Sequence, residues 1–546
     1  MGESAHVSAD SAAPQPAAAV VRRAPGRRLW FLAVALAVSA TPIVAVWAIP
    51  PDNFERGVRV LVTLVSLAVL AGAAAFWFFA LGRFSWTTRA VGAVVVLLSV
   101  TAALASVRRV EFTGDTVPLV EFRWQMHRDD RLEAHRRDVG SAALEPLDLT
   151  VGPHDMAEYR GPRRDGVVSG PALAREWASV APRTIWRQPV GGGYAAFAVA
   201  GDVAITIEQR RDREAIVCYD AATGLERWLY EYPALFSETL GGDGPRATPT
   251  IAGGRVYALG ATGELCCLEG ADGRLVWRVN LFDEAGSTNV VWGMSGSPLV
   301  LETLVIVNPG AQQGGAGHAV LALDRESGRR VWASGDAQAS YASPQRAVIG
   351  GVEQVLVFDA AGLSSYAPAT GERLWHVEWT TQFDINAAQP IVLPDERVLI
   401  TSASGCQLLE VTRDEVVWSP RVVWRNRLLK CSYANPVVRD GFVYGLDDGI
   451  LACLDLADGQ RRWKGGRYGH GQLLLVDDLL LVQCEDGRLV LVEAAPEAHR
   501  ELASLAALEG RTWNNPVLVE GRAYVRNHLE MACYELPLAG DALVDR

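Results

Sequence analysis

The sequence is poor in charged residues and has no excess of positive charge. Charged side chains make up 21% of the 546 residues, and the formal net charge is −12. Phosphate contacts from arginine and lysine dominate nucleic-acid affinity, so this balance argues against a nucleic-acid-binding role. The GxSxG, HExxH and Walker motifs are also missing, which removes the usual sequence signs of a serine hydrolase, a zinc protease or a phosphate-binding loop. We therefore predict no catalytic residue and no metal ligand.

Cysteine is present, but not in the pattern of a disulfide framework. Half of the eight cysteines take one position of a repeated phrase, namely Cys218, Cys267, Cys453 and Cys533. Other copies of the phrase have Ala322 or Ser365 at this position. A position that accepts alanine, serine or cysteine selects for small size, so we predict packed thiols.

Three long apolar runs stand near the N-terminus, over residues 29–50, 60–81 and 90–107. Each run is about long enough to span a bilayer as a helix. A signal peptide is the alternative for the first run, but two further runs follow it. Because polar residues are scarce within the runs, we expect residues 29–107 to be a membrane anchor rather than a transport pathway.

Arginines beside these runs predict the orientation of the chain. They stand before the first run and between the second and third, at Arg22, Arg23, Arg27, Arg28, Arg83 and Arg89. Arginines that flank membrane spans tend to stay in the cytoplasm. We therefore expect residues 1–28 to be a disordered cytoplasmic tail, and the chain beyond residue 107 to lie outside the cytoplasmic (inner) membrane, on its periplasmic side.

A short phrase recurs along the remainder of the chain, and its clearest copy is CLDLADGQRRW at 453–463. An acid that can bond turn amides is followed by glycine, which adopts left-handed backbone at little cost, and then by tryptophan. The glycines of the five copies are Gly224, Gly273, Gly328, Gly371 and Gly459. The tryptophans four positions later are Trp228, Trp277, Trp332, Trp375 and Trp463. An indole needs burial that no single hairpin supplies, so the copies must pack on one another.

The spacing of the repeat predicts the fold. A period of about 40–50 residues in an all-strand pattern is typical of a β-propeller. Apolar strands that begin at proline or an apolar substitute mark eight blades over 183–536. The last blade has no outer strand of its own, so we expect strand 184–190, which carries Trp186, to complete it and close the ring. Residues 108–182 are expected to be a polar linker with a short helix, and 537–546 a C-terminal tail.

The DxxTGxxxW pattern resembles the pyrroloquinoline-quinone-type propeller with its tryptophan-docking turns. That family includes quinoprotein alcohol dehydrogenases and the non-enzymatic lipoprotein of the outer-membrane β-barrel assembly machine. The phrases YRGPRRDGV (159–167), GGDGPRATPT (241–250), RYGHGQ (467–472) and WNNP (513–516) are similar to a membrane-anchored bacterial branch of it. The resemblance implies the fold of about two thirds of the chain and leaves the activity open.

The resemblance to the dehydrogenases also implies a test for cofactors. In that family the quinone is accompanied by calcium, which is held by carboxylate and amide groups. The candidates here are Glu208, Asp243, Asp384 and Asn386, none of which falls in a matching motif. Some of these enzymes carry a disulfide between adjacent cysteines, but Cys266 and Cys267 stand within one strand and should point to opposite faces. No cofactor is assured, and quinone with calcium stays an alternative.

The start of each inner strand predicts a candidate site. Residues just before these strands should converge on the mouth of the central funnel. The predicted ligand-binding set is Tyr194, Arg246, Trp292, Tyr341, Asn386, Tyr433, His470, Trp513 and Asn514. Either these side chains only pack the funnel, or they form a pocket for an anionic or aromatic ligand or a peptide strand. In the second case Arg246 is the charge partner and the aromatic rings are the walls.

Three functions agree with these features. The first, which we favour, is a membrane-anchored extracytoplasmic binding or scaffold module for a protein or a small ligand. The second is a membrane-bound quinoprotein dehydrogenase, and the third is a sensor whose helices relay ligand occupancy. The expected partners are the membrane and a protein at the propeller rim or funnel, without nucleic acid.

Overall fold

The computed structural model describes residues 27–49, 55–139, 147, 149–312 and 318–540. The chain divides into two compact units, residues 1–104 and 105–546. Residues 1–26 of the tail that is predicted to be disordered lie outside the described residues, as do residues 541–546 of the predicted C-terminal tail.

Three apolar helices come first in the described chain. They are α1 (Arg27–Ala48), α2 (Arg56–Phe76), which continues as a π-helical turn over Trp77–Leu81, and α3 (Trp86–Ser106). Each is long and apolar enough to cross a bilayer. Between α1 and α2, the indole Nε1 of Trp47 donates to Thr63 Oγ1 at 3.1 Å. This hydrogen bond pairs one polar group of each span with the other inside the unit.

The segment after α3 has more regular structure than the predicted polar linker. Strands Val107–Phe112 and Pro118–Phe122 pair into an antiparallel hairpin, which we call the hairpin, residues 107–122. Helix α4 then covers Arg128–Val139. Sequence reasoning missed the hairpin because its first strand, VRRVEF, carries three charged residues that interrupt the apolar alternation of a typical strand.

Eight antiparallel sheets follow, and they form the blades of a propeller in the described residues. The prediction of an all-β, eight-bladed propeller preceded by three apolar helices is confirmed. Because the strands alternate in direction, loops that join consecutive blades emerge on the same face as turns between second and third strands. We call this the funnel face, and the other one the opposite face.

The first four blades have short inner strands and longer outer ones. Blade 1 comprises Ala198–Ala200, Val203–Arg210, Arg213–Asp220 and Glu226–Pro233, and blade 2 comprises Thr250–Ala252, Arg255–Leu259, Glu264–Glu269 and Leu275–Asn280. Blade 3 comprises Leu299–Val300, Leu304–Val307, Val320–Asp324 and Arg330–Ser334, and blade 4 comprises Gln345–Ile349, Val352–Phe358, Gly362–Tyr366 and Arg373–Glu378. Short helices, α5 (Leu281–Ala285) and a 3₁₀ turn (Gln382–Asp384), lie in the loops that leave blades 2 and 4.

The last four blades continue the pattern. Blade 5 comprises Ile391–Val392, Val398–Ser402, Gly405–Asp414 and Val417–Asn426, and blade 6 comprises Val437–Arg439, Phe442–Asp447, Ile450–Asp455 and Arg461–Arg467. Blade 7 comprises Gln472–Val476, Leu479–Gln483, Arg488–Glu493 and Glu501–Ala506, with Val167–Val168 added in parallel on its inner edge. Blade 8 comprises Val517–Val519, Arg522–Arg526, Glu530–Glu535 and Arg183–Pro189.

The ring is closed by strands from both ends of the propeller sequence. The outer strand of blade 8 is Arg183–Pro189, and its Trp186 is paired with Cys533 in the third strand. This pairing removes the edge that the third strand of blade 8 would otherwise expose.

The tryptophan-docking turns stitch each blade to the next. The indole Nε1 of Trp228 donates to Gly270 O at 2.8 Å, and the ring covers Gly273, whose φ of 72° favours glycine. The same contact to the following blade is made by Trp186, Trp277, Trp332, Trp424 and Trp463. Trp375 instead donates to Gln354 Oε1 within its own blade, because blade 5 has no glycine turn.

A belt of hydrogen bonds joins the inner strands around the channel. The amide of Thr248 donates to Ser297 Oγ at 2.8 Å, and the amide of Ser297 donates to Ser343 Oγ at 2.9 Å. The amide of Gln389 donates to Asn435 Oδ1 at 2.7 Å. These residues stand directly before the inner strands, so the belt holds the funnel lip at a constant distance from the channel axis.

Candidate functional site

Most of the predicted funnel residues line one cavity of about 250 Å³ inside the mouth of the propeller. They are Tyr194, Arg246, Trp292, Tyr341, Tyr433 and Trp513. These side chains come from six different interblade loops, which the closed ring brings together. These six positions converge in the structure, as the sequence analysis expected. Their role in ligand binding stays a prediction.

Aromatic rings form the walls of this cavity in two groups. Trp292 and Tyr341 lie with their ring centroids 5.7 Å apart on one side. On the other side Trp513 lies 5.2 Å from Tyr194 and 6.4 Å from Tyr433. Burial raises the pKa of Tyr341 to about 12, so this phenol stays neutral at physiological pH. The walls are thus planar, mainly apolar and uncharged.

Arg246 is the cationic group of the cavity. Its guanidinium donates to the backbone oxygens of Gly241, Gly242 and Gly244 and lies over the ring of Phe236 at 4.8 Å. Among the described residues, no carboxylate lies within 4.0 Å of it. Burial lowers the pKa of Arg246 to about 10, which still leaves the group charged at neutral pH. Neutral carbonyls hold a positive charge that no protein anion neutralises at contact distance.

Three predicted residues do not line the cavity. Asn386 is buried and donates from Nδ2 to Asp359 O at 2.8 Å, and Asn514 is buried and donates to Ala195 O at 2.8 Å. Both amides brace the interblade loops, because buried loop carbonyls need a donor. His470 is buried beside the cavity, with its ring 5.3 Å from that of Tyr433.

The hairpin covers the cavity on the funnel face. Its tip, residues 112–116, contributes Phe112, Thr113, Gly114 and Thr116 to the lining. The amide of Gly114 donates to Glu485 Oε1 at 2.6 Å, and this carboxylate also accepts from Trp513 Nε1 at 2.8 Å. A side chain at Gly114 would collide with the imidazole of His470. The roof is therefore fitted closely to the mouth.

Ion pairs hold the first strand of the hairpin to the propeller. Arg109 bonds both carboxylate oxygens of Asp243, which also accepts from Arg128 at 2.8 Å. Glu111 lies 3.2 Å from Arg511 and 3.4 Å from His528. Burial alone would raise the pKa of Asp243, but the hydrogen bond from Arg109 and the charge of Arg128 hold this pKa well below its usual range.

The tip carries a further ion pair with the mouth. Asp115 lies 3.6 Å from His470 and 3.6 Å from Arg467. Burial alone would lower the pKa of His470, but the hydrogen bond with Asp115 and the charge of Glu485 outweigh it, so the pKa is raised. The nearby His528 is different, because burial lowers its pKa to about 4 and leaves it neutral.

A second segment, residues 155–168, crosses the channel below the cavity, and we call it the channel segment. Its Tyr159 lines the cavity and accepts a hydrogen bond from Asn435 Nδ2 at 2.9 Å. Arg160 donates to the backbone oxygens of Pro436 and Leu473, in blades 6 and 7. The cavity is thereby bounded from below as well as from above.

Arg164 of the same segment reaches the other side of the channel. It donates to the backbone oxygens of Ser297, Pro298 and Pro344, in blades 3 and 4, and to Glu158 Oε2 at 2.7 Å. Only 2% of its side chain is exposed. The segment thus supplies donors to carbonyls next to the inner strands, of which Pro298 O also accepts from Thr250 Oγ1.

Sequence reasoning missed several residues of the cavity. Tyr159, Gln472 and Asn515 line it without having been assigned a role. Tyr159 lies in YRGPRRDGV, Gln472 in RYGHGQ and Asn515 in WNNP. These phrases were already singled out for the family resemblance, so they could have indicated the three residues. The Oδ1 atom of Asn515 is buried and has no hydrogen-bond partner in the described part of the chain. The hairpin tip could not have been found, since nothing in its sequence marks the funnel as its neighbour.

The residues present do not fit a calcium-bound quinone. Among the residues that the structure describes, no carboxylate lines the cavity. Among the proposed calcium ligands, Glu208 pairs with Arg210 at 2.6 Å, Asp243 is bonded to Arg109, and the Asn386 amide is committed to backbone. Across the described residues no three His, Cys, Asp or Glu side chains converge as a metal site. We therefore assign no reaction step to pyrroloquinoline quinone or calcium in this protein.

The adjacent cysteines also play no cofactor role in this geometry. Cys266 packs in the apolar cluster with Ile205 and Trp228, whereas Cys267 packs in the next one with Tyr257 and Trp277. They point to opposite faces of one strand, as alternation predicts. Burial raises the pKa of Cys267 to about 12, so both thiols are inert packing groups.

The fold and cavity define an eight-bladed propeller with a central cavity, preceded by three helices that are long and apolar enough to cross a membrane. A family model described as outer membrane protein assembly factor BamB matches residues 178–261, 237–465 and 421–537. The chain therefore belongs to this family. No curated protein matches the sequence.

Solved structures share the fold at low sequence identity. The quinohemoprotein alcohol dehydrogenase of Comamonas testosteroni is 14% identical, with a TM-score of 0.53 over 70% of this chain and 80% of that one. The quinohemoprotein alcohol dehydrogenase ADHIIG of Pseudomonas putida HK5 is 13% identical, with a TM-score of 0.51 over 70% and 80%. BamB from Moraxella catarrhalis is 16% identical, with a TM-score of 0.47 over 65% and 98%. At these identities the first two comparisons speak for the fold alone.

Proposed function

We propose that this protein is a non-enzymatic, membrane-anchored binding and scaffold module whose closed funnel holds a small anionic ligand. Membership of a family described as an assembly factor supports a scaffold role over catalysis. The lack of any carboxylate in the cavity supports the same choice. The observation that carries the proposal is the pairing of a half-buried, carbonyl-held Arg246 with aromatic walls.

The chemistry of the lining indicates the class of ligand. A carboxylate or phosphate would supply the counter-charge that Arg246 lacks among the described residues, as a charge-assisted hydrogen bond. A planar ring would stack between the groups around Trp292 and Trp513, and a donor would satisfy Asn515 Oδ1. A dry cavity of about 150 Å³ takes benzene, so about 250 Å³ suits a one-ring molecule. A peptide strand is less suitable, because the hairpin fills the mouth that it would need.

The ligand proposal is tested with a one-ring carboxylate. The full chain in detergent is mixed with 4-fluorobenzoate, and ¹⁹F line broadening reports binding. We expect saturable broadening that the Arg246→Met substitution abolishes. Arg278→Met is the matched control, because this arginine lies on an outer strand with 43% of its side chain exposed. Absence of broadening in the unmodified protein, or equal broadening in the two variants, would contradict the proposal.

The non-enzymatic assignment is tested with the cofactor itself. Pyrroloquinoline quinone with calcium is titrated into the full chain while absorbance and melting temperature are followed. A ligand that prefers the folded state raises the melting temperature by mass action. We expect no shift, and tight saturable binding with a raised melting temperature would overturn the assignment in favour of a dehydrogenase.

We further propose that the propeller lies outside the cytoplasm, on the periplasmic side of the inner membrane. The arginines around the apolar runs support this orientation. All eight cysteines are buried, so a cysteine introduced at the exposed Val416 would be the one accessible thiol. An impermeant maleimide should label Val416→Cys in spheroplasts. Labelling only after lysis would reverse the orientation.

A further inference from the structure

The two faces of the propeller differ in their exposed apolar side chains. On the funnel face, the interblade loops expose Leu235, Leu240, Val291 and Phe383, the last with 72% of its surface accessible. The stretch after the hairpin exposes Trp124 and Met126 on the same side, since neighbouring Arg128 bonds Asp243. We call these six residues the apolar rim. Large exposed apolar groups gathered on one face mark an interaction surface.

We propose that the apolar rim rests on a lipid bilayer, so that the funnel face is a membrane-docking surface. Its side chains are tryptophan, phenylalanine, leucine, methionine and valine. Except for valine, these are the types that membrane interfaces favour, because a large apolar body can enter the acyl boundary. The opposite face exposes Val331, Val348, Val416 and Val417, together with Leu275 at 36%, so its exposed apolar side chains are mostly valine.

Chain continuity supports lipid as the occupant. Helix α3 ends at Ser106, the hairpin begins at Val107, and the hairpin tip is bonded in the funnel mouth through Gly114. Eight extended residues span about 26 Å, at about 3.3 Å each. If α3 crosses a bilayer, the funnel mouth therefore lies within about 26 Å of its surface. The opposite face has no such tether in the described chain.

Trp124 provides an independent indication that the funnel face lies near the bilayer surface. The amide of Arg123, its neighbour, donates to Ser106 O at 2.8 Å, which places this turn beside the end of the membrane-crossing helix. The indole is stacked on Phe122 at 4.4 Å and is 70% exposed. An exposed tryptophan at the end of a spanning helix is typical of the aromatic belt at a membrane surface.

The proposal is tested by the depth of nitroxide labels in the full chain. Phe383→Cys and Val291→Cys report on the apolar rim, and Val416→Cys is the matched control on the opposite face. Each variant is reconstituted in nanodiscs of phosphatidylcholine and phosphatidylglycerol, and a thermal melt checks that it is folded. Because the native cysteines are buried, the label reacts at the introduced site.

Accessibility to oxygen and to a water-soluble nickel complex distinguishes the occupants. We expect labels on the apolar rim to be relaxed more by oxygen and less by nickel than the Val416→Cys label. Equal, water-like accessibility at all three positions would overturn the proposal. Shielding of the rim labels from both reagents would also overturn it, because that result indicates contact with a protein or with a second copy. The accessibility of the labels does not depend on a ligand in the funnel. A negative result would therefore contradict membrane docking and leave the proposed ligand binding untouched.

Discussion

One segment covers the cavity from below and another from above, and these two segments, which we call the closures, use different chemistry. Below the cavity, Arg160 and Arg164 of the channel segment are buried and donate mainly to neutral backbone oxygens of distant blades. Above it, the hairpin is held by ion pairs such as Arg109 with Asp243, in which 26% of the arginine side chain is exposed. The first closure bonds neutral backbone oxygens, whereas the second pairs charged groups, of which Arg511 and His470 are buried and Arg109 is partly exposed.

This difference assigns separate tasks to the two closures. Hydrogen bonds from buried arginines to carbonyls are insulated from salt and contribute to the unfolding free energy of the ring. Partly exposed ion pairs are screened by salt and respond to pH, so they suit a contact that opens. We infer that a funnel ligand would enter from the hairpin side.

The largest effect is expected at the lower closure. Arg164→Met would leave the buried carbonyl oxygens of Ser297 and Pro344 without this donor, at about 1 kcal/mol each, so we expect a loss of about 2 kcal/mol of unfolding free energy. The third acceptor, Pro298 O, keeps its hydrogen bond from Thr250 Oγ1. Arg163→Met is the control, because the neighbouring side chain is 58% exposed and bonds only Asp165. Thermal melting of the full chain compares them. Similar midpoints for the two variants would show that the channel segment is not part of the core.

A smaller, local effect is expected at the upper closure. Gly114→Val would drive a side chain into the imidazole of His470 and unseat the tip. We expect amides of the hairpin to exchange with deuterium about tenfold faster, which corresponds to about 1.4 kcal/mol of docking free energy. Global melting should change little.

The control for this variant is Val117→Ala, at an exposed position near the same tip. It should leave hydrogen exchange in the hairpin unchanged. If Gly114→Val instead lowered the melting midpoint as much as Arg164→Met, the two closures would be equivalent and the comparison would be wrong.

The fold was accessible from the sequence because it rests on repetition. Tryptophans such as Trp228 and Trp277 recur with a glycine turn, and burying each indole on the next blade requires a closed ring. In blade 5, Trp424 makes the same contact to the following blade. Funnel positions such as Tyr341 and Trp513 followed from the same count.

The two closures were not accessible, for the opposite reason. The hairpin and the channel segment occur once, so no second copy reveals their place. Their anchors, such as Arg164 and Glu111, bond partners more than 100 residues away that no local pattern relates to them. Asn386 and Asn514 were misplaced because position in the repeat predicts the loop but not the side-chain direction.

The pH dependence of the hairpin distinguishes the closures further. The groups that face His470 are Asp115 and Glu485, with Asp448 and the opposing Arg467 nearby. Because its pKa is raised in the folded protein, the imidazolium stabilises the docked tip below the ordinary pKa of about 6.5, and this stabilisation is lost as pH rises through the raised pKa. His528, with its pKa lowered to about 4, stays neutral over this range, and Asp243 stays ionised.

The smallest predicted effect therefore appears in hydrogen exchange at two pH values. After correction for intrinsic rates, amides of the hairpin should be less protected at about pH 9 than at about pH 6, while amides of the channel segment should be equally protected at both. His470→Gln should flatten the dependence in the hairpin, and His376→Gln, in blade 4, should leave it intact. A dependence that survives His470→Gln would assign the pH response to another group, and parallel changes in both segments would mean that the whole ring, rather than the upper closure, responds to pH.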